Sequence, residues 1–128
     1  MPINSFDHIN VRTANLDAMV KWYGEALGLT PGARPAFSFP GAWLYLGDQA
    51  IIHLVGIEEA QKNVEPQIEH FALNASDLKG FLSNLDRLGT SYNHRRIPSG
   101  SLQIGIHDPD GNHLHVDFTA EEADAAGL

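Results

Sequence analysis

The stretch Ser5-Phe6-Asp7-His8-Ile9-Asn10-Val11-Arg12 returns, changed in detail, as Gln67-Ile68-Glu69-His70-Phe71-Ala72-Leu73-Asn74. Both octets alternate apolar and polar residues enough, around a histidine, to read as strands whose side chains point to opposite faces every second residue. The offset of 62 also carries His53 onto His115, Leu16 onto Leu78 and Asp48 onto Asp110. The chain therefore reads as two copies of one module, roughly residues 3–57 and 65–118.

Each copy continues in the same way. Asn15 is a candidate N-cap, and Leu16, Met19, Val20, Tyr23 and Leu27 recur at helical spacing before Gly28. In the second copy Ser76 or Asp77 caps Leu78, Phe81, Leu82, Leu85 and Leu88, and Gly89 ends the helix. Short strands follow at Trp43–Leu46 and Ala50–Val55, and at Leu102–His107 and Asn112–Phe118. They are separated by the turn residues Gly47-Asp48-Gln49 and Asp108-Pro109-Asp110-Gly111-Asn112. A further strand is expected at Ser91–Ile97, with a counterpart near Gly32–Phe39 that is obscured by prolines. Gln61–Pro66 reads as a linker, and Thr119–Leu128 as an acidic, Ala-rich tail or a frayed helix.

The chain has 128 residues, enough for one ordinary domain spanning both repeats and the tail. Eight basic against sixteen acidic residues give a net charge of -8, which repels phosphate backbones and anionic lipid. Neither nucleic acid nor a membrane is an expected partner, and a small molecule is. Without cysteine there are no disulfides, thiolate metal sites or thiol nucleophiles. The first residues lack a basic start followed by an apolar run, and no apolar stretch is long enough to span a bilayer, so the expected location is cytoplasmic.

Seven histidines accompany only eight Lys plus Arg. A lone strand histidine is usually a hydrogen-bonded core or surface residue. Four at repeat-related places, His8, His53, His70 and His115, instead point to imidazole ligands of one divalent ion: iron, nickel, manganese, cobalt or zinc. Strand alternation puts Phe6, Asn10 and Arg12 on the face of His8, and His113 and Asp117 on that of His115. Arg12 reads as a clamp for a substrate carboxylate or as a surface ion pair. His113 reads as a general base, with Asp117 beside it, or as a solvent-facing turn-end residue. Trp43 and Tyr45 form an aromatic wall or pack in the core, Gln103 and His107 share a face, and His94 is expected to be exposed. The Glu58-Glu59 and Glu121-Glu122 pairs read as solvated surface, and no phosphate loop, nucleophile elbow or dinucleotide fingerprint occurs.

Phe6-Asp7-His8-Ile9, Asn15-Leu16-Asp17, Trp22-Tyr23, Leu27-Gly28-Leu29, Glu69-His70-Phe71-Ala72, Asp77-Leu78 and Asp108-Pro109-Asp110-Gly111-Asn112 resemble the vicinal oxygen chelate superfamily over nearly the whole chain. Its members include glyoxalase I, extradiol dioxygenases, methylmalonyl-CoA epimerase and the fosfomycin- and bleomycin-resistance proteins. The resemblance implies an α+β fold of two paired βαβββ modules that form a half-barrel cup with a divalent metal at its base. It also implies a homodimer in which the site is shared between chains or closed within one. His8 and His70 match the first-strand ligands of the family pattern. His115 stands where the family normally has Glu, and His53 where relatives have Glu, Gln or a non-ligand.

Replacing carboxylate by imidazole leaves the metal its full charge and removes a proton acceptor, which favours an anionic chelating substrate. It counts against glyoxalase I proper and against extradiol cleavage, whose iron takes two histidines and a carboxylate. Two readings follow. One is a metal-dependent enzyme that binds two neighbouring substrate oxygens and performs isomerase, lyase, epimerase or oxygenase chemistry. The other is a metal-free protein of the bleomycin-resistance type that sequesters a cationic drug.

Overall fold

The computed structural model describes residues 2–60, 62 and 66–128. The chain divides into two compact units, Met1–Asn63 and Val64–Leu128. The first contains β1 (Ile9–Thr13), α1 (Leu16–Leu27), β2 (Thr30–Pro31), β3 (Gly41–Leu46) and β4 (Gln49–Gly56). The second contains β5 (Phe71–Asn74), α2 (Leu78–Leu88), β6 (Asn93–Arg96), β7 (Leu102–His107), β8 (His113–Phe118) and α3 (Ala120–Ala126). Each unit is thus a βαβββ module of the expected α+β class.

The sheets have equivalent orders, β1-β4-β3-β2 and β5-β8-β7-β6. A helical crossover makes β1 parallel to β4 and β5 parallel to β8, while the other neighbours are antiparallel hairpins. The offset of 62 holds through the ladders: Asn10↔His53 becomes Ala72↔His115, and Trp43↔His53 becomes Gly105↔His115.

One face of each sheet is core. Leu44, Ile52 and Leu54 are buried in the first unit with Met19, Tyr23 and Ala26 of α1. In the second unit the buried apolar side chains of the strands are Leu102, Ile104, Ile106, Leu114, Val116 and Phe118. Phe81 of α2 meets Phe118 with ring centroids 5.4 Å apart. The alternate residues form an open face that, apart from the buried Gly105, is half-buried or exposed and carries the polar side chains. Asp108, 4% exposed, ties the turn before β8: Oδ1 accepts the N–H groups of Asp110 and Asn112 at 3.0 and 2.9 Å. Gly111 takes φ 85° there, so the Asp-Pro-Asp-Gly-Asn motif is a turn that delivers β8 in register.

Several expectations are corrected. The first strands begin at Ile9 and Phe71, leaving His8 and His70 one residue outside them. In the first unit the Gln49 amide donates to the carbonyls of Phe6 and Asp7, at 3.3 and 2.7 Å, taking acceptors that a longer ladder would use. No strand forms at the expected Gly32–Phe39; a two-residue strand, Thr30–Pro31, precedes it. Beyond that strand Pro35 and Pro40 offer no N–H, and Arg34 bonds the Phe39 carbonyl and lies over the Phe37 and Phe39 rings, closing a loop.

The tail is a capped helix packed against α2 rather than a frayed one. Thr119 Oγ1 accepts the Glu122 N–H, and Ala123 is buried. Glu122 is a structural acceptor rather than solvated surface, because its Oε1 takes the N–H groups of Asp77 and Leu78 at 2.7 and 3.0 Å. Most of the linker at Gln61–Pro66 lies outside the described residues. Among them no helix is long and apolar enough to cross a membrane.

Candidate metal centre

Each unit sets the histidine before its first strand against the histidine in the middle of its last. His8 and His53 stack with centroids 3.7 Å apart, and His70 and His115 at 4.1 Å. The equivalence comes from the conserved register, since position 53 pairs beside Asn10 and position 115 beside Ala72.

The surroundings of the two pairs differ. Trp43 lies on His53 at 3.8 Å and 12°, so that imidazole is held between two rings. Its Nε2–H donates to the Ala50 carbonyl at 3.1 Å, and Asp7 pairs with Nδ1 of His8 at 2.6 Å. Burial, and then the neighbouring His8, push the His53 pKa below its ordinary value.

In the second unit Gly105 occupies the place of Trp43 beside His115, and a third imidazole joins the pair. His113 stands edge-on to His115 at 4.8 Å and 77°, and to His70 at 5.5 Å and 61°. One ring nitrogen from each of His70, His113 and His115 lies within 4.8 Å of the other two. His107 stacks on His113 at 4.8 Å and 15°. Glu69 pairs through one carboxylate oxygen with Nδ1 of His70, and through the other with Nδ1 of His113 at 2.9 Å. These hydrogen bonds hold the Glu69 pKa below the usual carboxylate value. Burial, then the adjacent His70 and His113, lower that of His115, keeping its lone pair available.

The donor set suits a first-row divalent ion, for which neutral imidazole is a preferred ligand. A second observation agrees: Nδ1 of His115 is buried and has no hydrogen-bond partner among the described residues. Asp117 Oδ1, on the same face, is in the same condition.

Of the substrate-side residues, Asn10 and Arg12 are exposed on β1, and Gln103 sits opposite Asp117. Trp43 meets His53, but a register irregularity between Leu44 and Tyr45 turns Tyr45 toward Gly32, where its hydroxyl donates to the Ala33 carbonyl at 2.5 Å. His94 is exposed, as expected. A cavity of about 410 Å³ in the first unit, at the ends of β1 and β4 near Thr13, Gly56 and Glu58, is lined by no histidine.

Two features escaped the sequence reading. Strand alternation puts His113 on the face of His115 as a candidate general base, but its place as a third imidazole of the cluster is hidden because its repeat counterpart is Ile51. Glu69 was signalled only by standing next to His70.

No curated protein matches the sequence. Among solved structures, a protein from Bacillus anthracis assigned to the glyoxalase family is similar at TM-score 0.76 and 20% identity, with 91% of this chain and 96% of that one covered. A glyoxylase/bleomycin resistance protein/dioxygenase domain from a Frankia species is similar at 0.75 and 17%, covering 92% and 99%. Lactoylglutathione lyase from Agrobacterium tumefaciens is similar at 0.70 and 21%, covering 91% and 95%. At these identities the likeness is one of fold. The family description Glyoxalase/Bleomycin resistance protein/Dioxygenase superfamily matches residues 5–116, and the chain belongs to that superfamily.

Proposed function

We propose that the protein is a divalent-metal-dependent enzyme that binds a small anionic substrate through two neighbouring oxygens and performs isomerase, lyase or oxygenase chemistry on it. The observation that carries this reading is the pair of stacked histidines repeated in each unit. The ligands are drawn from His8, His53, His70 and His115. When bound, the ion supplies a Lewis acid that holds two oxygens and stabilises an enolate-like anion. The protein's own groups do the rest. Arg12 and Asn10 bind the substrate's charged end, Gln103 orients it, and Trp43 gives a planar wall. His113 and Asp117 lie beside the ligands, where a proton can be held or passed on. Tyr45, its hydroxyl already engaged by the Ala33 carbonyl, offers only its ring to that wall. A homodimer and a cytoplasmic location belong to the same reading.

The test is elemental analysis of metal-free protein after reconstitution, alongside the His115→Ala variant. The expected result is about one ion per chain in the parent and a marked loss in the variant. Iron as the preferred ion directs the search toward oxygenation, and nickel or zinc toward isomerase or lyase substrates. The net charge of -8 favours a second reading, sequestration of a cationic drug. Drug protection in growing cells without any bound metal would establish that reading in place of the first.

A further inference from the structure

The two units share a backbone register but have different open faces, and the differences gather around the second unit's last-strand histidine. His53 is covered by His8 on one side and Trp43 on the other, and its Nε2–H is spent on the Ala50 carbonyl. At the equivalent His115 the tryptophan is replaced by Gly105, and the neighbouring Ile51 by His113. One covering ring is thereby removed and one further donor is added.

The third imidazole is oriented by a single carboxylate. Carboxylate oxygens only accept hydrogen bonds, so when both rings are neutral, Glu69 fixes His70 and His113 as Nδ1–H tautomers. That leaves the Nε2 lone pair of each ring as its ligating group. His115 contributes from the middle of the cluster, with Nδ1 buried and without a partner among the described residues.

We infer that the second unit holds a first-row divalent ion by itself, through His70, His113 and His115, with Glu69 as the positioning residue that sets two of the three tautomers. The inference rests on the metal reading above and changes it. Of the four histidines named there it keeps only His70 and His115 as ligands, and the third donor is His113 itself rather than His8 or His53. The first unit has the paired histidines but no third imidazole at position 51, and is not a separate site.

The experiment titrates the metal-free full chain with zinc against a chromophoric chelator. It compares the parent with His8→Ala/His53→Ala, His113→Ala and Glu69→Gln, and circular dichroism checks that each variant is folded. The expected result is one zinc in the double variant at an affinity within about threefold of the parent, and a loss of about 100-fold or more in His113→Ala. Glu69→Gln should weaken binding by about 10–100-fold, the range typical of an outer-shell carboxylate. A readout independent of affinity is the long-range nitrogen–proton correlation spectrum of the metal-free parent, in which His70 and His113 should both appear as Nδ1–H tautomers. In Glu69→Gln they should redistribute.

Zinc lost in the double variant but retained in His113→Ala would overturn the inference while leaving the metal reading intact. Nε2–H tautomers at both positions in the parent, or no effect of Glu69→Gln on affinity and tautomers, would overturn the role of Glu69. Absence of zinc, nickel, cobalt and iron binding by the parent would instead defeat the metal reading itself. If His113→Ala does not fold, His113→Gln takes its place with the same expectation, because its amide is a poor ligand for these ions.

Discussion

At Asp77 the backbone takes φ 65°, a left-handed conformation that costs a residue with a side chain about 1–2 kcal/mol. The strain is held by two carboxylates: that of Asp77 accepts the Gly80 N–H at 3.2 Å, and that of Glu122 accepts the N–H groups of Asp77 and Leu78. Residue 77 thus caps α2 from within and Glu122 caps it from the far end of the unit. Asp77→Asn keeps a short acceptor that tolerates this conformation and should change stability by less than about 0.5 kcal/mol. Asp77→Ala loses the acceptor and keeps the strain, at a cost of about 1–3 kcal/mol. Glu122→Ala should cost about 1–2 kcal/mol and Glu122→Gln much less, since an amide oxygen still accepts. Urea unfolding monitored by circular dichroism measures all four. Equal losses in Glu122→Gln and Glu122→Ala would show that the charge, and not the acceptor, is what matters.

The strands were legible from the sequence wherever one face is core, because burial enforces alternation. In β8, Leu114, Val116 and Phe118 are buried while His113, His115 and Asp117 are open. Leu114→Ala should therefore cost about 3 kcal/mol in urea unfolding, and Gln103→Ala on the open face less than about 0.5 kcal/mol. A comparable loss from the two substitutions would mean that the open face is also load-carrying. What escaped was decided by contacts without a period. The short β2 follows from prolines and the Arg34 stack over Phe37 and Phe39. The helical tail did have a signal, the Thr119-x-x-Glu122 spacing of a capping box, but the carboxylate reaches another helix's N-terminus instead of its own. Of the candidate centre, repeat arithmetic found His70 and His115. It could not assign His113 as a donor, since position 51 is isoleucine.

For the chain as a whole, binding a metal to the folded state alone must raise its thermal stability. Zinc at 100 times its dissociation constant adds about 2.7 kcal/mol. For a chain of this length that corresponds to a rise in Tm on the order of 10 °C, reversed by a chelator and much reduced in His115→Ala. Differential scanning calorimetry tests it, and an unchanged Tm under saturating zinc would contradict folded-state binding. The register shared by the two units has a consequence of a different kind. The pairings repeat although Trp43 is replaced by Gly105, Ile51 by His113 and Val55 by Asp117 at the equivalent positions. Inheritance of the architecture therefore runs through one surface of each sheet, and novelty can accumulate on the other at little risk to folding. A duplicated module of this kind gives evolution a spare: one copy can keep an old arrangement while its twin explores another ligand set, within the same gene product.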